Sequence, residues 1–193
     1  MSFFVGRQEE LTRLKRLKRL KKSSLVVIKG RRRVGKSTLV KEFSKGKRFI
    51  SLSGLPPDNN INAQDQRNAF ADQLCVQLSL PKVTFLTWSD AFFFLIAQIK
   101  DEETIVLFDE ISWMAESDPK FLGFLKTCWA QFAIDKPKLV LVLCGSISSW
   151  IEDNILCSKG FLGRISLVIR LKPLSLTHSV YFLRKKGITG SIY

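Results

Sequence analysis

The stretch VVIKGRRRVGKSTLVKEF, residues 26–43, decides the fold. Its central part, from Gly30 to Ser37, fits the pattern G-x-x-x-x-G-K-[ST], in which the backbone N–H groups of a glycine-rich loop surround phosphate oxygens. A short apolar run rich in β-branched residues comes before this loop, and helix-forming residues follow it. Strand, loop and helix in this order are the context that the pattern requires, so we predict a phosphate-binding loop.

The positions of this loop have different expected roles. Lys36 is placed to reach the β- and γ-phosphates of a nucleotide and so to take part in catalysis, and the Ser37 hydroxyl is placed to ligate Mg²⁺. Thr38 would face the α-phosphate side of the helix start. The candidate nucleotide-binding residues of the loop are Gly30, Arg33, Val34, Gly35, Lys36, Ser37 and Thr38.

A pair of carboxylates follows an apolar run in IVLFDEIS, residues 105–112. Asp109 and Glu110 come at the carboxyl end of a predicted strand, where the ligands of open α/β sheets collect. We expect Asp109 to hold Mg²⁺ opposite Ser37. Glu110 is the expected general base, which polarises the attacking water.

Ser146 and Arg164 are further catalytic candidates, and each has an alternative role. Ser146 follows the apolar run LVLVLC, where a polar side chain can sense the γ-phosphate or position water, but it can equally be the N-cap of the next helix. Arg164 lies on a glycine-bracketed loop before the last predicted strand. It is either an ordinary surface charge or a finger that stabilises transition-state charge, in its own chain or in a neighbour.

Segments typical of strands and of helices alternate along the chain. This alternation is typical of a parallel sheet that helices cover on both faces. We therefore predict an α/β fold of three layers, with a central five-stranded parallel sheet flanked by helices. The predicted strands are residues 25–29, 48–53, 104–110, 138–146 and 166–171.

Basic residues concentrate in the N-terminal quarter. The net charge of the 193-residue chain is +14, and residues 1–48 hold 17 of its 31 basic residues but only 3 of its 17 acidic ones. Residues 7–22 form a predicted helix whose leucines recur every third residue, so it can bury two or three leucines and its last turn is poorly anchored. This segment is either a solvated amphipathic helix or a contact for nucleic acid or lipid.

The composition excludes several classes of protein. The hydrophobic content of 46% indicates a globular chain, and no apolar run is long enough to cross a bilayer. The chain does not start with the apolar stretch of a signal peptide, so we expect a cytoplasmic protein without membrane insertion. The four cysteines lack CxxC spacing and there is one histidine, so we expect reduced thiols, mostly buried, and neither a zinc site nor a disulfide.

Five segments together resemble the archaeal-type ATPases of the STAND branch of the AAA+-related P-loop NTPases. They read FVGRQEEL, GRRRVGKS, LFDEISWM, LVLCGSISSWI and GFLGRISLVIRLKPL. The resemblance implies ATP and Mg²⁺ as cofactors, and it implies that FVGR lies near the adenine base, which makes Val5, Gly6 and Arg7 candidates for the nucleotide pocket. It also implies that the three loop arginines lie outside the phosphate ring, with Arg33 as the one that approaches a phosphate or a partner.

The resemblance also predicts the domain organisation. Residues 1–172 correspond to the ATPase core, and residues 173–193 to the start of a truncated C-terminal helical lid. Members of this family usually continue into the rest of the lid and a winged-helix domain. Loss of the lid should expose apolar surface, which favours homo-oligomers or an unknown protein partner.

Three functions are compatible with these features. The first is an Mg²⁺-dependent ATPase that uses Lys36, Ser37, Asp109 and Glu110. The second is a non-catalytic nucleotide switch whose state a partner reads. The third is binding of nucleic acid through the basic N-terminal segment, with ATP in a secondary role.

Overall fold

Five strands form one sheet in the computed structural model, which describes residues 4–58, 60–116, 118–185 and 187–188. The strands lie within one or two residues of their predicted positions because each combines a local apolar pattern with flanking turn residues. They are β1 (Ser24–Lys29), β2 (Arg48–Ser53), β3 (Thr104–Asp109), β4 (Leu139–Gly145) and β5 (Ile165–Arg170).

The strand order in the sheet is β2-β3-β4-β1-β5, and every neighbouring pair is parallel. The carboxyl ends of all strands therefore meet at one edge: Lys29 is in register with Gly145 and Arg170, and Ser53 with Asp109. The strands β3, β4 and β1 lie between others, so nearly all of their residues are buried and the central residues of each are apolar. This architecture confirms the predicted three-layer α/β fold.

Helices cover both faces of the sheet. The described α-helices are α1 (Gln8–Arg16), α2 (Lys36–Phe43), α3 (Ala63–Leu78), α4 (Trp88–Ala97), α5 (Ile111–Glu116), α6 (Phe121–Asp135), α7 (Ser148–Ile151) and α8 (Leu176–Lys185). A 3₁₀ turn, Leu17–Leu20, follows α1, and a π turn, Glu152–Leu156, follows α7. The helix α8 falls in the predicted lid segment and has no buried residue, and the boundary at residue 172 stays a prediction.

Two hydrophobic layers separate the sheet from its helices. Val26 and Ile28 of β1 pack with residues of α1 and α2, whereas Leu25 and Val27 pack on the other face. That second layer includes residues of α3 to α7 and contains a cluster of rings in which Phe92 contacts Trp88, Phe108 and Phe121. The aromatic segments thus build the core that fixes the strand ends.

Only the first part of the basic segment with the leucine repeat is α-helical. The helix α1 ends at Arg16, earlier than predicted, and the chain continues as the 3₁₀ turn. A 3₁₀ helix has three residues per turn, so leucines spaced by three stay on one side. Leu11, Leu14 and Leu17 are buried as expected, whereas Leu20 is 45% exposed.

The edge strand β2 is covered by glutamine side chains of α3. Gln77 exchanges two hydrogen bonds with the backbone N–H and C=O of Ser51, at 2.9 and 2.8 Å. Gln73 pairs in the same way with Ser53, at 2.8 and 2.9 Å. Gln66 repeats this with Leu55 beyond the strand end, at 2.9 and 3.0 Å. These three side chains, the glutamine ladder, satisfy backbone groups that face away from β3.

Among the residues that the structure describes, no helix combines the length and the apolar character needed to span a membrane.

Candidate functional site

The phosphate loop joins β1 to α2 at the carboxyl edge of the sheet. Gly35 has φ +93° and Arg33 has φ +64°, so the loop turns through left-handed backbone at two positions. A Cβ atom at Gly30 would lie 2.3 Å from the Leu171 carbonyl oxygen, so only glycine fits where the loop leaves β1. Backbone N–H groups of such a loop and of the helix start are suited to bind anions.

Lys36 holds its ammonium group inside this loop. Its Nζ donates to the carbonyl oxygens of Gly30 and Arg31, at 3.0 and 3.2 Å, and lies 3.9 Å from Oε1 of Glu110. The residue is only 5% exposed. A buried cation supported by main-chain oxygens is a fixed positive charge for phosphate groups.

Ser37 and Asp109 bring two hard oxygen ligands together. The Ser37 hydroxyl donates to Oδ2 of Asp109 at 2.5 Å, although 71 residues separate the two in the chain. Mg²⁺ prefers oxygen ligands of this kind and is commonly held by one hydroxyl, one carboxylate and substrate phosphates. The pair therefore fits the metal role that the sequence predicts.

Ser146 positions Glu110. The backbone N–H and the hydroxyl of Ser146 both donate to Oε2 of Glu110, at 2.9 and 2.8 Å. Glu110 itself has φ +50°, an unusual backbone conformation for a residue other than glycine. The alternative role of Ser146 as an N-cap is wrong, because α7 begins at Ser148 and its N-cap is Ile147.

All three loop arginines have exposed side chains. Their expected position outside the phosphate ring stays a prediction. The guanidinium carbon of Arg32 lies 4.9 Å from the ring centroid of Trp113, a cation–π contact. Arg32 and Trp113 line a cavity of about 510 Å³ together with Arg33, Gly35, Lys36, Ser37, Thr38 and Glu110. The sequence pattern did not single out Trp113, because an aromatic residue in a short helix is usually part of the core.

The segment FVGR lies beside the phosphate loop. Nη2 of Arg7 donates to the carbonyl oxygens of Val34 and Lys172, at 3.1 and 2.5 Å. Arg7 thereby connects the start of α1, the loop and the chain after β5. A Cβ at Gly6 would lie 3.3 Å from the side chain of His178, so this segment also contacts α8. The role of Val5, Gly6 and Arg7 toward a nucleotide base stays a prediction.

Arg164 lies at the other edge of the sheet. It immediately precedes β5, whose first residue, Ile165, is in register with Leu25 near the start of β1. Its guanidinium donates to the Lys126 carbonyl oxygen at 2.9 Å, and its side chain is exposed. The prediction of a finger acting within the same chain is therefore wrong, because parallel strands separate Arg164 from the phosphate loop. Only the action toward a neighbouring chain stays open.

One buried thiol, Cys144, lies near the carboxylates of the site. Burial, aided by the charge of Asp109, raises the pKa of the Cys144 thiol well above its ordinary value. All four cysteines are free; Cys75, Cys128 and Cys144 are buried, and Cys157 is exposed. A protonated thiol at the end of β4 adds no charge beside Asp109 and Glu110.

The chain resembles two proteins of Methanocaldococcus jannaschii in sequence. It is 26% identical over 183 residues to an uncharacterized protein, a match that covers 94% of this chain and 38% of the relative. It is 47% identical over 50 residues to an uncharacterized ATP-binding protein, a match that covers 26% of this chain and 85% of that one. The chain thus spans well under half the length of the first relative.

Solved structures and a family profile agree with this likeness. The Walker-type ATPase of Pyrococcus abyssi superposes with a TM-score of 0.66 at 20% identity, covering 97% of this chain and 60% of that one. This neighbour supports the fold alone. The family profile for the ATPase domain predominantly from Archaea matches residues 4–189, and the chain therefore belongs to that family of nucleotide-binding ATPases.

Proposed function

We propose that this chain binds ATP with Mg²⁺ and hydrolyses the bond between the β- and γ-phosphates. The observation that carries the proposal is the convergence of five residues at one edge of the sheet: Ser37 donates a hydrogen bond to Asp109, and Glu110 contacts both Ser146 and Lys36. The family match and the ATP-binding relative from Methanocaldococcus jannaschii support the choice of nucleotide.

The loop and Lys36 would bind the phosphates. The loop carries backbone N–H donors, and the Lys36 ammonium supplies positive charge among its carbonyl oxygens. Ser37 and Asp109 would hold Mg²⁺, which neutralises negative charge on the phosphates when it is bound. The FVGR segment would contribute Val5, Gly6 and Arg7 to the base pocket.

The hydrolytic step uses a water molecule and Glu110. The water oxygen forms a bond to the γ-phosphorus while the bond from that phosphorus to the bridging oxygen breaks, and ADP leaves with the electron pair. The Glu110 carboxylate accepts the proton that the water loses. Ser146 holds one oxygen of that carboxylate through two hydrogen bonds and leaves the other, Oε1, on the side of Lys36.

Calorimetry with Mg-ATP tests the binding site. The Lys36→Ala variant should lose measurable binding, because it removes the only ammonium buried in the loop residues 30–37. Lys41→Ala is the matched control, since Lys41 lies on the same helix but is exposed. Equal affinity of the wild type and Lys36→Ala, or no binding by the wild type, would refute the proposal.

A non-catalytic switch is the alternative, and Glu110→Gln separates it from an enzyme. In an ATPase this change should lower kcat by about 100-fold or more while Mg-ATP binding is kept. In a switch there is no turnover for it to lower. Release of phosphate by the wild type that is absent in Glu110→Gln supports the enzyme.

Nucleic-acid binding is a second candidate, supported by the exposed basic face of the N-terminal segment. Lys15, Arg16, Arg19, Lys21 and Lys22 are all exposed. Binding of this type should weaken steeply with salt, and removal of these charges should reduce the slope. Binding of a duplex oligonucleotide that is independent of salt would contradict this candidate.

Arg164 belongs to the proposal only if the protein assembles. If it supplies charge to a neighbour's site, ATPase activity per chain should rise with protein concentration, and Arg164→Ala should abolish that rise. Activity that does not depend on concentration would leave Arg164 as a surface residue.

A further inference from the structure

A second cavity lies at the amino edge of the sheet, opposite the phosphate loop. It has a volume of about 470 Å³ and is bordered by the first residues of three strands, Ser24 of β1, Thr104 of β3 and Leu139 of β4. This volume lies within the range of roughly 300–1,000 Å³ that is typical of small-molecule sites.

The cavity has an apolar wall. Leu17, Phe43, Ile105 and Leu139 line it and are among the buried hydrophobic residues of the protein. They come from the 3₁₀ turn after α1, the end of α2 and the starts of β3 and β4. A wall of this kind favours an apolar body over a fully hydrated polar one.

The rim of the cavity carries an excess of positive charge. Five lysines line it, against two glutamates: Lys18, Lys21, Lys22, Lys47 and Lys138 against Glu102 and Glu103. Lys18 pairs with Glu103 at 2.8 Å, Lys138 pairs with Asp101 at 3.0 Å, and Glu102 pairs with Arg48 at 3.1 Å. Across the described part of the chain, no ion pair engages Lys21, Lys22 or Lys47.

Lys47 brings its charge to the apolar wall. Its Nζ donates to the Phe43 carbonyl oxygen at 2.9 Å and lies 3.5 Å from the centroid of the Phe43 ring. Burial, together with the charges of Lys18 and Lys15 and against that of Glu103, lowers the pKa of Lys47 from 10.5 to about 8. The protonated form is therefore poorly compensated, and a bound anion would stabilise it.

We propose that this cavity, the lysine cavity, binds a small anion that carries an apolar body, with a medium-chain carboxylate as the simplest example. The carboxylate would pair with Lys47, and the lysines 21 and 22 would add to the attraction. The hydrocarbon part would cover Phe43, Ile105 and Leu139. A nucleic-acid backbone matches the rim charge but not this wall, so the small amphipathic anion fits better. The inference does not depend on the proposed ATPase activity.

Titration calorimetry with decanoate below its micellar concentration tests the proposal. The wild type should bind decanoate, and Lys47→Met should weaken the binding by about tenfold or more, because it keeps the apolar stem and removes the charge-assisted contact. Lys45→Met is the matched control: Lys45 is exposed, pairs with Glu42 at 2.7 Å and does not line the cavity. Acetate, which lacks the hydrocarbon chain, tests the contribution of the apolar body, and decyltrimethylammonium, which is a cation, tests the contribution of the negative charge. Both should bind far more weakly than decanoate.

Two further measurements separate binding from a structural role of Lys47. Lys47→Met should keep Mg-ATP binding and should melt at a higher temperature than the wild type, since it removes a poorly compensated charge. Decanoate binding should decline as pH rises from 7 to 9, where Lys47 loses its proton.

Three results would overturn the proposal. They are the absence of decanoate binding by the wild type, equal affinity in Lys47→Met, and displacement of decanoate by a single-stranded oligonucleotide that binds the same face. The last result would assign the lysines to nucleic acid instead.

Discussion

The two edges of the sheet both present lysines, but they hold them in different ways. At the carboxyl edge, Lys36 is surrounded by carbonyl oxygens of its own loop and lies near Glu110. At the amino edge, Lys47 donates to the Phe43 carbonyl oxygen and lies over the Phe43 ring, and burial, together with the charges of Lys18 and Lys15, lowers its pKa to about 8. Both cations therefore contact a main-chain carbonyl oxygen, but only Lys36 has a carboxylate within 4 Å, whereas among the described residues Lys47 has no ion-pair partner.

The difference follows from how parallel strands end. The carboxyl ends lead into loops that open toward helix starts, so backbone N–H groups and the side chains of Ser37, Asp109 and Ser146 converge there. The amino ends receive chain from the last turns of helices, so lysine stems and apolar residues such as Leu17 and Phe43 collect there. The carboxyl edge thus suits phosphates, and the amino edge suits the proposed anion with an apolar body.

Gly30→Ala should have the largest effect of these changes, and it should affect only the site at the carboxyl edge. Because its Cβ would lie 2.3 Å from the Leu171 carbonyl oxygen, we expect a loss of about 2–3 kcal/mol in the free energy of unfolding, with loss of Mg-ATP binding. Urea denaturation and calorimetry measure the two effects.

Gly123→Ala is the control for that change. Gly123 lies within α6, and a Cβ there would meet no atom within 4 Å, so alanine should stabilise the helix by about 0.5–1 kcal/mol. A Gly30→Ala protein as stable as the wild type would contradict the geometry of the loop. Decanoate binding by the folded Gly30→Ala protein should be unchanged.

Ser146→Ala tests whether the hydrogen bond from the Ser146 hydroxyl to Glu110 contributes to turnover. Without the hydroxyl, one of two hydrogen bonds to Glu110 remains, so kcat should fall by about tenfold while KM stays the same. Ser146→Thr keeps a hydroxyl and should restore most of the rate. Steady-state phosphate release measures both, and an equal loss in the two variants would point to packing rather than positioning.

At the amino edge, the lowered pKa of Lys47 should make the stability of the protein depend on pH. Lys47 has its pKa lowered in the folded protein, so between pH 8 and 10.5 the unfolded chain binds more protons and the wild type gains stability as pH rises. Lys47→Met should therefore be more stable than the wild type at pH 7, by about 1 kcal/mol after allowance for solvent screening, and this advantage should vanish toward pH 10.5.

Urea denaturation of the wild type and Lys47→Met at pH 7 and pH 10 measures this difference in the free energy of unfolding. The contributions of the other lysines are the same in both proteins and cancel in the comparison. Lys45→Met, a change at an exposed side chain, is the control in the same assay. A Lys47→Met protein less stable than the wild type at pH 7 would show that Lys47 supports the fold.

The arginine run should give the smallest effect. Arg32 stacks on Trp113 beside the phosphate loop, so Arg32→Ala should weaken Mg-ATP binding by about two- to fivefold. Arg31 does not line that cavity, and Arg31→Ala should have no effect. Calorimetry on the two variants decides whether the loop arginines differ, and equal losses would indicate only their shared charge.

The parts that the sequence predicted correctly depend on short patterns. The strands, the loop and the Ser37 and Asp109 pair follow from apolar runs and from one local motif each, because parallel strand ends must meet. The predicted role of Arg164 within its own chain is wrong because the glycines that flank it do not indicate at which edge of the sheet the loop lies. Its position before a strand, rather than after one, was the usable signal.

Other features could not be read from local patterns. The lysine cavity combines four separate segments, 17–24, 43–47, 102–105 and 137–140, whose side chains meet only after the sheet has formed. The contact between Arg32 and Trp113 joins residues 81 positions apart, and no periodicity links them. Pairings of this kind depend on tertiary packing and not on propensity.

The glutamine ladder has a consequence for behaviour in concentrated solution. At Ser51, Ser53 and Leu55 the outward backbone groups are already hydrogen-bonded, so an extended segment from another molecule would have to displace glutamine side chains to pair with these three residues. Fibril-like growth from β2 would first require α3 to detach. The glutamine side chains thus protect this edge of the sheet by forming the hydrogen bonds that a sixth strand would form there.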